Sequence, residues 1–142
     1  MLRRVLQTDR AKTTILIRLM VGVVFLSEGI QKFLFAGTRG AGRFEKIRLP
    51  SPEFLGYFVG SFETVCGFLI LLGLLTRLAS IPLIVIMLVA LTTTKLGILA
   101  NDGLWEMLHA FRTDWAMLLG SIFLLIKGGG CWAVDRKLAH RD

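Results

Sequence analysis

Apolar residues dominate four long stretches of this chain, and polar and charged residues are concentrated in the segments between them. The stretches cover about residues 13–35, 54–75, 78–99 and 108–126. A helix rises about 1.5 Å per residue, so about 20 residues span the roughly 30 Å hydrocarbon core of a bilayer. The pattern therefore predicts an all-α membrane protein, folded over residues 1–142 as a single antiparallel four-transmembrane-helix bundle.

Composition supports a membrane location and changes the meaning of the charge. Hydrophobic residues make up 54% of the chain, and the mean hydropathy is +0.68. The formal net charge of +7 would suggest nucleic-acid binding in a soluble protein. Here the basic residues flank apolar stretches, where they contact lipid headgroups. We therefore expect the lipid bilayer as a partner and no nucleic acid.

The basic residues also predict an orientation. Four spans place both termini on the same side of the membrane, and the termini side carries nine Lys and Arg residues against six on the other. Cytoplasmic segments are enriched in Lys and Arg, so both termini are expected in the cytoplasm. The nine are Arg3, Arg4, Arg10, Lys12, Arg77, Lys127, Arg136, Lys137 and Arg141, and the six are Arg39, Arg43, Lys46, Arg48, Lys95 and Arg112.

Several ionisable residues fall inside or beside the apolar stretches, all toward the outer half of the predicted bundle. The fourth stretch has only twelve uncharged residues, 115–126, so a full crossing draws its preceding polar residues into the membrane. An isolated charge at mid-bilayer costs at least about 2.5–3.5 kcal/mol, so each must be paired, protonated or exposed to a wet cavity. The candidate pocket residues are Glu28, Lys32, Glu63, Lys95, His109, Arg112 and Asp114.

Two interpretations of this charged group are open. It is either an ion-pair network that fixes helix register, or a polar pocket for a quinone, a proton or another small substrate. In both, we expect Glu63 to face Lys32 or Lys95. Arg18, near the inner end of the first stretch, is expected to extend toward lipid phosphate. Glycines repeat along one face of each of the first two stretches and predict close helix packing there.

Cysteine and histidine limit the redox chemistry available to this chain. Cys66 lies inside the second stretch and Cys131 beyond the fourth, so they are expected at different depths, and no C-x-x-C pair occurs. The chain has only two histidines, His109 and His140, and His140 lies in the polar tail, so one chain cannot assemble a buried bis-histidine haem or a Cys/His metal site. We expect no intrinsic cofactor and no metal.

Spaced glycines and charges across the chain resemble the DoxX family of small four-span bacterial membrane proteins. The tail is similar to the family's Gly-x-Gly-x-x-Ser-x-Asp ending, with Ala133 in place of the serine. The matching positions are Arg18-x3-Gly22-x6-Gly29-x2-Lys32, Gly60-x2-Glu63-x3-Gly67-x5-Gly73-x2-Thr76-Arg77, Asp114-Trp115, and the tail from Gly128 to Asp135.

The resemblance implies a bacterial inner-membrane protein related to DoxD, the membrane subunit of thiosulfate:quinone oxidoreductase. We therefore expect an accessory or quinone-interacting subunit of a redox-linked membrane complex, partnered by another protein or by further copies of itself. Electrons would come from a partner and leave through a quinone, so the chain is not expected to be an enzyme alone. The alternatives are an oligomeric transporter or proton-conducting module, and a purely structural membrane subunit.

Overall fold

The computed structural model describes residues 6–139, which are helical and contain no strand. Four of the basic or histidine residues discussed above, namely Arg3, Arg4, His140 and Arg141, lie outside the described residues. A π-helical turn, Leu91–Lys95, joins the helices Thr76–Ala90 and Leu96–Asp102 without a break. The helices are α1 (Thr14–Leu34), α2 (Ala41–Lys46), α3 (Pro52–Leu72), α4 (Thr76–Ala90), α5 (Leu96–Asp102), α6 (Leu104–Lys127) and α7 (Val134–Ala139).

Three helical segments are long and apolar enough to cross a membrane. They are α1, α3 and the continuous stretch Thr76–Asp102, which contains α4, the π-helical turn and α5. The fourth long helix, α6, has 24 residues but carries Glu106, Arg112 and Asp114 in its first half. All-helical membrane architecture is therefore confirmed with three candidate spans, and the fourth span of the predicted antiparallel bundle stays a prediction.

The turn between α3 and α4 differs from the predicted one. The predicted stretches 54–75 and 78–99 leave residues 76–77 for the turn, but α3 ends at Leu72 and Thr76 is already the first residue of α4. Gly73 adopts φ +68° and terminates α3, with its N–H and that of Leu74 donating to carbonyls of the last turn. The hydropathy pattern missed this break because the turn residues are themselves apolar or small.

The end of the third stretch and the start of the fourth also differ from the predicted limits. The third stretch was predicted to end at residue 99, and the helix continues to Asp102. The fourth was predicted from residue 108, and α6 begins at Leu104, directly after Gly103 turns the chain at φ +91°. Helical hydrogen bonding tolerates exposed polar residues such as Glu106, so a helix can extend beyond its apolar part.

Glycines let α1 and α3 pack closely, as the sequence predicted. A methyl group added at Gly67 would lie 3.0 Å from the Gly22 carbonyl oxygen, and one at Gly29 would lie 2.8 Å from that of Gly60. The helix axes therefore approach more closely than a Cβ would allow. The same interior buries Phe25, together with other apolar residues from α1, α3, α4 and α6. Elsewhere the long helices expose large apolar side chains, as a surface in contact with lipid does.

Arg18 is buried at the end of the molecule where α3 meets α4, which corrects the expectation that it extends to lipid phosphate. Only 3% of the residue is exposed. Its guanidinium donates to the carbonyls of Ile70 (3.0 Å), Leu71 and Gly129 (3.2 Å). The last carbonyls of a helix have no partner within it, so a buried arginine fork can satisfy those of α3. Arg18 thus ties α1 to the end of α3 and to the glycine-rich tail.

Asp135 completes this junction from the other side. Its carboxylate accepts the backbone N–H of Leu75 (2.6 Å) and of Thr76 (2.9 Å), the first donors of α4. The Asp135 N–H in turn donates to the Gly73 carbonyl at 2.9 Å. A carboxylate at a helix N-terminus is favoured by both hydrogen bonding and the helix dipole. We call Arg18, Gly73, Thr76, Gly129 and Asp135 the Arg18–Asp135 junction.

The segment before α1 also packs against this end of the molecule. The Asp9 N–H donates to the Lys127 carbonyl at 2.8 Å, and the two side chains form an ion pair at 3.4 Å. The Arg10 backbone N–H, which donates to the Asp9 carboxylate at 2.6 Å, holds the pKa of that carboxyl below its usual value. The entry to α1 and the exit from α6 therefore lie at the same end.

Candidate functional site

A cavity of about 470 Å³ lies among α1, α3, α4 and α6, away from the Arg18–Asp135 junction. Its volume falls within the range typical of small-molecule sites. Most of its wall is apolar, with phenylalanine, valine and methionine side chains from all four helices. Its polar and charged lining residues are Glu28, Lys32, Arg43, Glu63, Thr93, Thr94, Thr113 and Asp114.

A buried ion pair between α1 and α3 forms one side of this cavity. The Lys32 Nζ lies 2.6 Å from the Glu63 Oε2, and these side chains are only 6% and 4% exposed. A methyl added at Gly60 would lie 3.2 Å from the Lys32 Cβ, so the close helix approach brings Lys32 across to α3. The expectation that Glu63 faces Lys32 or Lys95 is confirmed, with Lys32 as the partner.

Glu28 extends the pair toward the surface. Its Oε2 is 3.9 Å from the Lys32 Nζ, one helical turn away, and its side chain is 42% exposed. Lys32 therefore lies between one fully buried carboxylate and one that reaches solvent or headgroups. Glu63 and Glu28 therefore share one ammonium group on the cavity wall.

A second ion pair joins the π-helical turn to α6. The Lys95 Nζ lies 3.0 Å from the Asp114 Oδ2 and donates to the Ala110 carbonyl at 2.7 Å. Asp114 lines the cavity, and Thr93 and Thr94 of the π-helical turn line it as well. π-helical turns are uncommon and are found frequently at functional sites. The two ion pairs thus place acidic groups from α3 and α6 on the same cavity.

His109 and Arg112 do not reach the cavity. Both are exposed, and the Arg112 Nη1 donates to the His109 carbonyl on the outside of α6. At about 100° per residue, His109 and Arg112 lie about 140° and 160° around the helix from Asp114. Proximity in sequence suggested a common pocket, but helical geometry directs them away from the side that Asp114 occupies.

The segment from α2 to Leu49 contributes cavity residues that the sequence analysis missed. It supplies Arg43, Phe44, Ile47 and Leu49 to the wall. This connection between the first two stretches forms α2 and packs against α3. An available signal was the alternation of these apolar residues with basic ones, which gives the segment one apolar side.

These features define an all-helical membrane protein with an internal cavity whose wall is mostly apolar and carries a few charged side chains. The chain belongs to the DoxX family, which its residues 13–96 match. It is 50% identical to the "Uncharacterized membrane protein Rv3486" of Mycobacterium tuberculosis, over 97% of this chain and 88% of that protein. It is 30% identical to the "Putative oxidoreductase CatD" of Bacillus subtilis, over 86% of this chain and 84% of that protein. No solved structure matches the chain significantly.

Proposed function

We propose that this protein is an accessory subunit of a redox-linked membrane complex and that its cavity binds a quinone beside Lys32 and Glu63. The observation that carries the proposal is the buried 2.6 Å ion pair on the wall of a mostly apolar cavity. A quinone ring is flat and apolar and bears carbonyl oxygens that accept hydrogen bonds. The apolar wall suits the ring, and the Lys32 ammonium suits a carbonyl.

The same pair suits the proton chemistry of a quinone. Reduction to the hydroquinone takes up two electrons and two protons, and the electrons would come from a redox partner protein. Glu63 and Glu28, which share Lys32, can hold and release protons at the carbonyl oxygens. The name of the Bacillus subtilis relative, an oxidoreductase, supports this class of activity.

The test compares the native assembly with a charge-neutral variant. We expect protein purified from native membrane in mild detergent to carry quinone, and Glu63→Gln to lose most of that quinone and of the partner-dependent quinone reduction. Glu53→Gln is the matched control, because Glu53 lies on the same helix but is exposed and outside the cavity. Quinone content is measured by extraction and mass spectrometry, and reduction by absorbance.

The outcomes separate the proposed function from its alternatives. If the assembly contains no quinone and no redox partner, and if Glu63→Gln does not change its properties, the ion pairs have a structural role only. Proton flux in proteoliposomes that depends on Glu63 and needs no quinone would favour a proton-conducting module instead.

We further propose that α6 crosses the bacterial inner membrane as the fourth span and that both termini are cytoplasmic. Contacts between Asp9 and Lys127 support a common end for the entry to α1 and the exit from α6. Basic residues such as Arg10, Lys12 and Arg77 are concentrated at that end, as expected for the cytoplasmic side.

Cysteine labelling tests this orientation. Cys131 is partly exposed beside the glycine-rich tail, whereas Cys66 is buried in the core between the packed helices. We expect a membrane-impermeant maleimide to label Cys131 in inverted vesicles but not in intact cells, and Cys66 to stay unlabelled in both. A Cys131→Ser variant is the control for background. Labelling of Cys131 in intact cells would reverse the orientation.

A further inference from the structure

We infer that the cavity ligand enters sideways from the bilayer, through an opening between α3 and α4, and that it carries a long apolar tail. This inference rests on the proposed function and specifies its substrate class. The opening is defined by Phe58 of α3 and by Val85 and Val89 of α4.

These three residues face both the cavity and the outside of the molecule. Each lines the cavity. Each is also about half exposed on the outer surface, at 49% for Phe58, 53% for Val85 and 49% for Val89. A side chain that borders an internal space while remaining half exposed lies at the edge of an opening. The cavity is therefore continuous with the outer surface between α3 and α4.

The opening lies at the depth of lipid acyl chains. Phe58 is 14 residues before the end of α3 at Leu72, or about 21 Å along the axis. Val85 and Val89 follow the start of α4 at Thr76 by about 14 Å and 20 Å. These heights lie within the roughly 30 Å hydrocarbon core when the α3–α4 turn is at the membrane surface. The opening therefore meets lipid rather than water.

On the side of the segment from α2 to Leu49, apolar residues form part of the cavity wall, next to the charged residues Glu28 and Arg43. Phe44, Ile47 and Leu49 line the cavity and are partly buried. The wall on this side therefore carries charged as well as apolar groups, whereas the opening between α3 and α4 is bordered by the apolar residues Phe58, Val85 and Val89, as a lipid-dissolved molecule requires. A row of neighbouring rings, Phe54, Phe58 and Phe62, runs along α3 beside the opening, with centroids 5.5 Å and 4.9 Å apart.

The arrangement of polar and apolar groups defines the ligand. Its head must accept a hydrogen bond or carry a proton-linked group beside Lys32 and Glu63, which lie inside the cavity. Its tail must be apolar, because the route outward passes Phe58, Val85 and Val89 into acyl chains. A quinone with an isoprenoid tail has this form, and a tailless quinone satisfies only the first requirement.

The first experiment compares long-tailed and tailless quinones bound to the full chain in lipid nanodiscs. We expect the long-tailed quinone to bind about tenfold more tightly, at equal concentration in the lipid phase, and Val89→Trp to abolish that advantage. Leu88→Trp is the matched control, because Leu88 is 46% exposed on the same helix but does not line the cavity. Equal affinity for both quinones in the wild type, or equal effects of the two variants, would overturn sideways entry.

The second experiment does not depend on quinone binding. A spin label at Val59→Cys, in a Cys66→Ala and Cys131→Ala background, reports from the cavity wall. We expect its relaxation to respond more to oxygen, which concentrates in lipid, than to a water-soluble nickel chelate. Labels at Val65 and Glu45 give the lipid-facing and water-facing references, since both positions are exposed. A nickel-dominated response would show that the cavity opens to water.

The two experiments separate the two proposals. If neither quinone binds to the wild type, the proposed function fails and the tail inference fails with it, whatever the spin label shows. If quinone binds but the label responds to nickel, the proposed function stands and sideways entry is wrong.

Discussion

Replacing Glu63 with leucine is expected to lower the free energy of unfolding by about 3–5 kcal/mol, because it removes the closest and best-buried partner of the Lys32 ammonium and leaves only the half-exposed Glu28, at 3.9 Å. Glu63→Gln is expected to cost less, since the amide oxygen still accepts a hydrogen bond from Lys32. Chemical or thermal unfolding of the purified protein in lipid nanodiscs measures the difference. Glu53→Leu on the exposed side of the same helix is the matched control.

A double variant tests whether the cost comes from the unpaired charge. Lys32→Leu combined with Glu63→Leu removes both charges, and well-packed apolar replacements of a buried pair are often neutral or stabilising. We therefore expect the double variant to be more stable than Glu63→Leu alone. Equal melting temperatures for the wild type and Glu63→Leu would show that the ion pair of Glu63 with Lys32 does not stabilise the fold.

The second large effect is expected at the Arg18–Asp135 junction. Asp135→Ala removes two charge-assisted hydrogen bonds to the first N–H groups of α4 and leaves Arg18 without its nearby carboxylate. Because hydrogen bonds to charged groups contribute about 1.5–3 kcal/mol each, we expect a loss of about 3 kcal/mol or more. Asp135→Asn retains one acceptor oxygen and is expected to lose less.

Limited proteolysis gives this prediction a local measurement. When Asp135 no longer holds the tail, we expect trypsin to cleave faster after Arg136 and Lys137, which follow it directly. Asp102→Ala, at an exposed helix end, is the control. Unfolding and cleavage of Asp135→Ala that match those of Asp102→Ala would mean that the junction does not hold the tail in place.

Two groups of charged and junction residues that carry the family resemblance lie at separate places in the fold. Arg18, Gly73, Thr76 and Asp135 meet at the junction, where they join helix ends and satisfy backbone groups. Lys32 and Glu63 meet on the cavity wall. The first group explains how the bundle is closed at one end, and the second is the part of the pattern on which the proposed chemistry depends. Variants in the two groups should therefore differ, with the junction affecting stability and the cavity pair affecting quinone as well.

The amino-acid sequence determined the helical membrane architecture and the need for charge pairing, because both follow from local quantities. Helix length and hydropathy are properties of consecutive residues, and the cost of a buried charge applies wherever its partner lies. The glycine faces on the first two stretches predicted the close packing of α1 on α3, because residues three, four and seven apart share a helix face. Glu63 was therefore expected to have a basic partner before any contact was known.

Only the tertiary structure decided which groups meet. Arg18 reaches carbonyls more than fifty residues away in sequence, so its burial followed from how α1 packs on the end of α3. The same packing made Lys32, rather than Lys95, the partner of Glu63. His109 lies away from the cavity because of the orientation of α6 about its own axis. The part of the cavity wall formed by the segment from α2 to Leu49 likewise depended on the packing of that segment against α3. Side-chain pairing depends on distances between helices, and those distances are set by packing that no local pattern in the chain contains.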